Sequence, residues 1–250
     1  MRTRRTLWIG ALALFAFALF LLARFPAAWA MGALPAGLSC DAVDGTLWNG
    51  TCTGLMLQHR ELIGDLAWQL RPARLLAGRL GAHVELTQVG DFANGDVEMS
   101  ISGQVFARDV HASVHLSSAL LPQLPDGLKG AARADLARVA LRNGRLTDLA
   151  GRIEAHDLAQ TGGTTTTELG SYALAFTGAA SGGALVGELH DLGGPLALSG
   201  TLRMTPEPGF VVDGKVAARP TASANLVQQL QMLGAPDAQG RRSFSIANTF

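Results

Sequence analysis

The sequence is short of charge, of aromatic residues and of cysteine. Charged residues make up 16% of the 250 positions, against about 25% in an ordinary soluble domain. Hydrophobic residues make up 48%. That balance excludes a disordered chain, which needs charge to stay solvated and too little apolar surface to collapse. The 30 glycines follow no Gly-x-y period, which excludes collagen. Acidic residues are missing from the first 30 positions, which hold Arg2, Arg4, Arg5 and Arg24. Beyond them the remaining 16 basic residues (20 less those 4) face 20 acidic ones, a net of −4. Nucleic acid as a partner calls for a basic footprint and is excluded on this count.

Motifs of chemistry are missing too. The chain has no G-x-S-x-G elbow, no P-loop, no G-x-G-x-x-G after a strand and no H-E-x-x-H. Of His59, His83, His111, His115, His156 and His190, only His111 and His115 are close in sequence. On a strand that spacing puts them about 13 Å apart, too far to share one metal ion. Carboxylates stand singly at turns, where Asp supports the local backbone. The expectation is a protein that is not an enzyme, with no catalytic residues, no metal and no cofactor.

What is present begins at the N-terminus. Leu7–Ala23 runs 17 residues without a charge behind three arginines, at the short end of the about 17–25 that span a bilayer. The basic flank predicts a cytoplasmic tail over 1–6, an anchor over 7–23 and a periplasmic domain over 24–250. Ala28-Trp29-Ala30 also fits a signal-peptidase site. The apolar run exceeds the about 7–15 residues of a signal core, and Arg24 and Pro26 precede the cut, so the uncleaved anchor is favoured. Cys40 and Cys52 suit an oxidising compartment and are expected to form a disulfide. A two-residue turn at Asp44-Gly45 would oppose Cys40 to Asn49, so the loop must be wider or bulged.

From Gly45 to Arg219 short alternating runs predict antiparallel strands, roughly eleven to thirteen by the spacing of turns. Asn94-Gly95, Asp126-Gly127, Asn143-Gly144, Gly182-Gly183, Gly193-Gly194 and Asp213-Gly214 read as the turns. Thr164–Thr167 behind Gly162-Gly163 fits a hairpin tip or an edge strand. Ala and Gly stand where a sandwich core would use larger residues, which suggests an open, curved, half-pipe sheet. A short helix is expected near 72–78, with Leu75-Leu76 inward and Gly78 as its stop. A second, near 222–233, is capped by Thr221 or Ser223 and carries the stripe Leu226, Val227, Leu230, Leu233 toward the sheet. Trp48 and Trp68 are expected to anchor the core.

Four segments, in this order, carry a resemblance: GTLWNG (45–50), LAWQLRPARLLAGRLGAHVEL (66–86), GGPLALSGTLRMTPEPGFVVDGKVAARP (193–220) and LVQQLQMLGAPDAQGR (226–241). The chain resembles the type II secretion system protein N family. The motif positions are Gly45, Thr46, Leu47, Trp48, Gly50, Trp68, Pro72, Gly194, Pro195, Gly234, Pro236, Asp237, Gly240 and Arg241. The resemblance implies a single-pass inner-membrane protein with its bulk in the periplasm. It implies an accessory structural or interaction role in exporting folded proteins across a Gram-negative outer membrane. The secretin and the inner-membrane platform proteins are the partners it implies, and it carries no catalytic residues. The β-rich domain is also similar to AsmA-type bridge folds, which gives the alternative expectation of a lipid-binding or lipid-bridging groove. An outer-membrane barrel fits less well, because many strands put Arg, Asp or Gly on both faces.

Overall fold

A computed structural model describes residues 2–29, 37–57, 61–116, 127–162, 165–178, 184–204 and 209–249. The chain divides into two compact units, Met1–Gln88 and Val89–Phe250. The fold is mainly β and antiparallel, and strand order equals chain order from β1 to β13.

The first unit opens with α1 (Arg2–Ala23), a 22-residue helix. It closes with the Arg24 N–H donating to the Phe20 carbonyl (3.0 Å). Pro26 follows and cannot extend it. The described side chains from Trp8 to Leu22 are solvent-exposed, Phe15 and Phe20 by more than half. Among the described residues no helix is long and apolar enough to cross a membrane. The side chains of residues 2–7 and of Ala11 lie outside that set.

After α1 come β1 (Leu38–Gly45), β2 (Asn49–Leu57), β3 (Glu61–Arg71) and β4 (Arg79–Gln88). Each pairs antiparallel with its chain neighbour. Between β3 and β4 lies a 3-10 helix, Pro72–Ala77, with Pro at its start and Gly78 (φ 66°) as its left-handed stop. Leu75, expected inward, is instead 47% exposed. A 3-10 helix turns once in three residues, so only a narrow edge of so short a segment can face the sheet. The side chain of Leu76 lies outside the described set.

The second unit holds β5 (Asp91–Ser100), β6 (Gln104–Leu116), β7 (Leu128–Arg142), β8 (Arg145–Gly162), β9 (Thr165–Thr177), β10 (Leu185–Gly193), β11 (Leu196–Met204), β12 (Gly209–Ala218), α2 (Ala224–Gln231) and β13 (Arg242–Thr249). Neighbour again pairs with neighbour. Among the described residues neither unit pairs its first strand with its last, so the sheet closes on itself in neither.

The predicted turns divide into three outcomes. Asn143-Gly144 is a two-residue hairpin between β7 and β8, with both φ positive (53° and 74°), the geometry such dipeptides favour. Asn94-Gly95 and Asp213-Gly214 are not turns but strand interior. Gly95 marks a register shift between Asn94 and Asp96 in the β5–β6 ladder, the usual place for a strand glycine. Gly214 sits opposite Phe244, whose ring occupies the space a side chain would need. Gly182-Gly183 and Asp126 lie outside the described residues. So do Gly163 and Thr164, whereas β9 opens at Thr165, paired with Gly162.

Two apolar clusters hold the second unit. Leu149, Phe176 and Leu185 form one across β8, β9 and β10, flanked by Val139, Ile153, Leu174 and Leu202. Leu196, Val216 and Leu226 form the other, where α2 seats on β11 and β12. Each fully buried side chain of this size contributes about 1.5–3 kcal/mol. Ser223 caps α2, its hydroxyl accepting the Leu226 N–H (3.3 Å). The predicted stripe is narrower than expected. Leu226 is buried and Leu230 half-buried, but Val227 and Leu233 are exposed. The helix spans only eight residues, about two turns, so one row of contacts is all it offers.

Candidate functional site

The motif positions fall mainly at a joint in each unit and in the loop between α2 and β13, with Pro72 at the start of the 3-10 helix. The first joint lies where α1 meets the β1–β2 hairpin. This hairpin turns at Leu47-Trp48, not at Asp44-Gly45. Thr46 and Asn49 exchange backbone bonds, Thr46 N–H to Asn49 O at 2.9 Å and Asn49 N–H to Thr46 O at 3.2 Å. Gly45, at φ 91°, is a conformation that suits glycine, and a Cβ there would lie 2.5 Å from the Asn49 carbonyl oxygen.

Three bonds tie this tip to the end of α1. The Trp48 indole Nε1–H donates to the Leu22 carbonyl oxygen (2.7 Å). The Leu47 N–H donates to the Phe25 carbonyl (2.7 Å). Pro26 forms a β-bridge with Thr46. Pro26, four residues on, has no N–H to offer the Leu22 carbonyl, which accepts the Phe25 N–H (3.3 Å) and the indole instead. Ala27 is buried to 1% exposure beside this joint. The Phe25 and Trp29 rings pack at 5.5 Å, and Arg24 lies over the Phe20 ring at 5.8 Å.

Trp68 secures the same tip from the sheet side. Its Nε1–H donates to the Leu47 carbonyl (2.9 Å), and the Leu70 N–H donates to the Trp48 carbonyl (2.7 Å). Gly50 is the direct cross-strand partner of Trp68, and a Cβ at 50 would run into its ring. The two tryptophans therefore act through their N–H groups as much as through apolar area. Close by, Cys40 and Cys52 are joined by a disulfide, with Cα atoms 5.6 Å apart. They are not ladder partners: Cys40 faces Leu55 and Cys52 faces Val43. Gly54 at φ 65° and a register shift between Cys52 and Leu55 mark the irregularity that lies between them.

The second joint lies at the β10–β11 turn, against β9 and the residue that follows β12. Gly193 and Gly194 have φ of 127° and 116°. A Cβ on Gly194 would lie 2.5 Å from the Gly170 Cα. The Pro195 carbonyl accepts the Arg219 N–H (2.8 Å). The Arg219 guanidinium donates to the Gly194 and Leu196 carbonyls (3.1 Å each) and to the Asp191 carboxylate. Tyr172, the only tyrosine, donates its hydroxyl to the Leu169 carbonyl. Burial, with the nearby Asp191 charge, raises the Tyr172 phenol above its ordinary pKa.

Asp237 organises the loop between α2 and β13. Its carboxylate accepts the Gln239 and Arg241 N–H groups (3.0 and 2.9 Å). It also accepts from Arg241 Nε (3.2 Å) and Lys215 Nζ (3.0 Å). The Arg241 backbone N–H and then the Lys215 ammonium hold this carboxyl well below the usual carboxylate range. The Gly240 N–H donates to the Asp237 carbonyl (2.9 Å), with Gly240 at φ 76° and Gly234 at φ 96°. Pro236 immediately precedes this carboxylate, and Pro72 starts the 3-10 helix of the first unit.

Asp191, Lys215 and Arg219 were not singled out from sequence, and the Leu22–Pro26 segment was read only as the end of the anchor, not as a partner of the hairpin tip. The two basic residues lie inside a motif segment, but their partners are 22 and 28 residues away. The histidines do not converge. His111 pairs with Asp135 on β7 and His115 with Asp91 on β5, both at 2.7 Å. His59 lies outside the described residues. Among the described residues no group of three His, Cys, Asp or Glu could hold a metal ion. One surface concavity of about 360 Å³ lies over the β8–β10 bulges, lined by Asp157, Glu168, Gly170, Gly193, Gly194 and Pro195 among others.

The chain matches the family Type II secretion system (T2SS), protein N, over residues 36–245. It is 28% identical over 244 residues to the type II secretion system protein N of Aeromonas hydrophila, covering 93% of this chain and 94% of that protein. No solved structure matches it. The chain belongs to the type II secretion system protein N family, and that membership supports a role in type II secretion and protein transport.

Proposed function

We propose that the protein is an accessory structural component of the type II secretion apparatus, held in the inner membrane by α1 with residues 24–250 in the periplasm. One observation carries the anchor reading: the bond from Trp48 Nε1 to the Leu22 carbonyl. A cleaved signal peptide has no reason to be built into the domain that follows it. Here the helix end, the buried Ala27 and the Pro26–Thr46 bridge belong to the same packed joint. The exposed apolar side chains of α1 favour the same reading, since water is a poor surrounding for so much apolar surface.

The β-sheet then serves as interaction surface, with the secretin and the inner-membrane platform proteins as the partners proposed from the family. The motif residues hold backbone in place, with no arrangement that suggests a reaction. The test is affinity purification of the full chain from detergent-extracted membranes, with a gene deletion alongside. The expected result is a mass that retains the N-terminal helix, co-purified secretion components and reduced secretion of folded proteins in the deletion strain. A mature chain beginning after Ala30 overturns the anchor. Unchanged secretion with no co-purified component overturns the role.

A further inference from the structure

We infer that the 3-10 helix Pro72–Ala77 and the strand ends flanking it form a second membrane contact, a docking surface for anionic phospholipid headgroups beside the exit of α1. This rests on the reading of α1 as a membrane anchor.

Topology sets the position. The β1–β2 turn, the end of β3 and the start of β4 share one end of the first unit, because Asn49 pairs with Gln69 and Arg71 with Gly81. That is the end where α1 is bound. The Leu70 N–H donates to the Trp48 carbonyl, and Trp48 in turn holds Leu22. Two residue steps, about 7 Å, lead from Leu70 to the start of the 3-10 helix at Pro72. The chain cannot carry this segment far from the point where α1 ends.

Composition fits a headgroup layer. Residues 66–84 contain three arginines, Arg71, Arg74 and Arg79, and no acidic residue. Arg71 and Arg79 are exposed and Arg74 half-buried. All three also interact with other groups of the chain. Leu75, between Arg74 and Arg79, and Leu80, just after Arg79, are 47% and 43% exposed, and Trp29 across the joint is 71% exposed. Exposed leucines beside arginines, with an indole at the rim, are the mixture that settles at an interface: apolar groups enter the acyl boundary while guanidinium groups meet phosphates. Arginine suits this because its planar fork binds phosphate oxygens two at a time. A protein partner is the rival occupant. Continuity with the proposed anchor favours the bilayer, which is already present at this end.

The test uses the full chain in vesicles of phosphatidylethanolamine and phosphatidylglycerol. An environment-sensitive fluorophore is placed on Leu75→Cys, on Leu62→Cys or on Phe17→Cys. Leu62 is 54% exposed but lies at the opposite end of β3. Headgroup-labelled quencher lipids are expected to quench the probe at 75 and spare the probe at 62. Replacing Arg71, Arg74 and Arg79 with Gln is expected to weaken quenching at 75, roughly fivefold in the bound-to-free ratio for each arginine. Equal quenching at 75 and 62, or no loss on removing the arginines, overturns the docking surface. The probe at 17, read with acyl-chain quenchers, reports on α1 separately. Quenching at 17 without quenching at 75 sinks the docking surface and leaves the anchor standing. Quenching at 75 without quenching at 17 does the reverse.

Discussion

Phe176 on β9 lies directly opposite Gly187 on β10, and its ring covers the space where a side chain at 187 would begin. The arrangement recurs at Trp68 over Gly50 and at Phe244 over Gly214, each a direct cross-strand pair. An aromatic laid across a strand glycine restores the packing and the water exclusion that a missing side chain would forfeit. The glycine and the ring are one unit of structure, and neither can be exchanged alone.

Gly187→Ala is therefore expected to destabilise the protein, although alanine suits a strand no worse than glycine does. Its Cβ would lie 2.6 Å from Phe176 Cε1, so the ring must move out of the cluster it forms with Leu149 and Leu185. Overpacking of this kind costs about 1–3 kcal/mol. Thermal melting of the detergent-solubilised chain should show a lower Tm for Gly187→Ala and little change for Gly162→Ala, where a Cβ meets open space and the backbone is not left-handed. Equal losses at the two sites would mean that the ring does not set the cost.

Trp48→Phe keeps an aromatic ring at the hairpin tip and deletes the donor to Leu22. A bond of this type contributes about 0.5–1.5 kcal/mol. The expected outcome is a near-normal melting curve for the sheets but faster proteolytic cleavage between Arg24 and Thr46. Trp68→Phe, which loses the bond to the Leu47 carbonyl, should loosen the same segment. If neither variant changes the cleavage rate, the joint is held by Pro26 and Phe25 instead.

Asp237 gives a pH dependence with a defined sign. Its carboxyl pKa is lowered in the folded state by the Arg241 N–H and by Lys215. The stabilisation is thus fully present above the ordinary carboxylate pKa of about 3.9 and is lost as pH falls through the lower folded value. Asp237→Asn should melt below the parent at pH 7, and the gap should close as the pH is taken down from about 4. A gap that stays constant into acid would assign the effect to loop geometry and not to the charge.

Much of this was readable in the sequence, and the failures have a common cause. The strand class, the antiparallel order and the Asn143-Gly144 hairpin follow from local patterns of two to ten residues. Asn94-Gly95 and Asp213-Gly214 have the same local pattern as Asn143-Gly144 and yet lie inside strands. What decides between the outcomes is the neighbouring strand: a register shift at Gly95 and the Phe244 ring over Gly214. Trp48 and Trp68 were recognisable as anchors, but the carbonyls they hold are 26 and 21 residues away. The same distance hid Arg219 and Lys215. Leu75 was misplaced because its segment turns as a 3-10 helix, whose rotation per residue differs from the α-helical one.

Pairing by chain neighbour has a consequence for how the protein reaches its folded state. Within each unit every strand finds its partner one connection away, so ring closures are short and their entropic cost grows only slowly with loop length. A chain delivered across a membrane from its N-terminal side presents each new strand to an edge already in place. Assembly of either unit can proceed by accretion, without waiting for a distant segment to emerge, and at each stage a wrong neighbour finds only the first strand's edge and the newest one open.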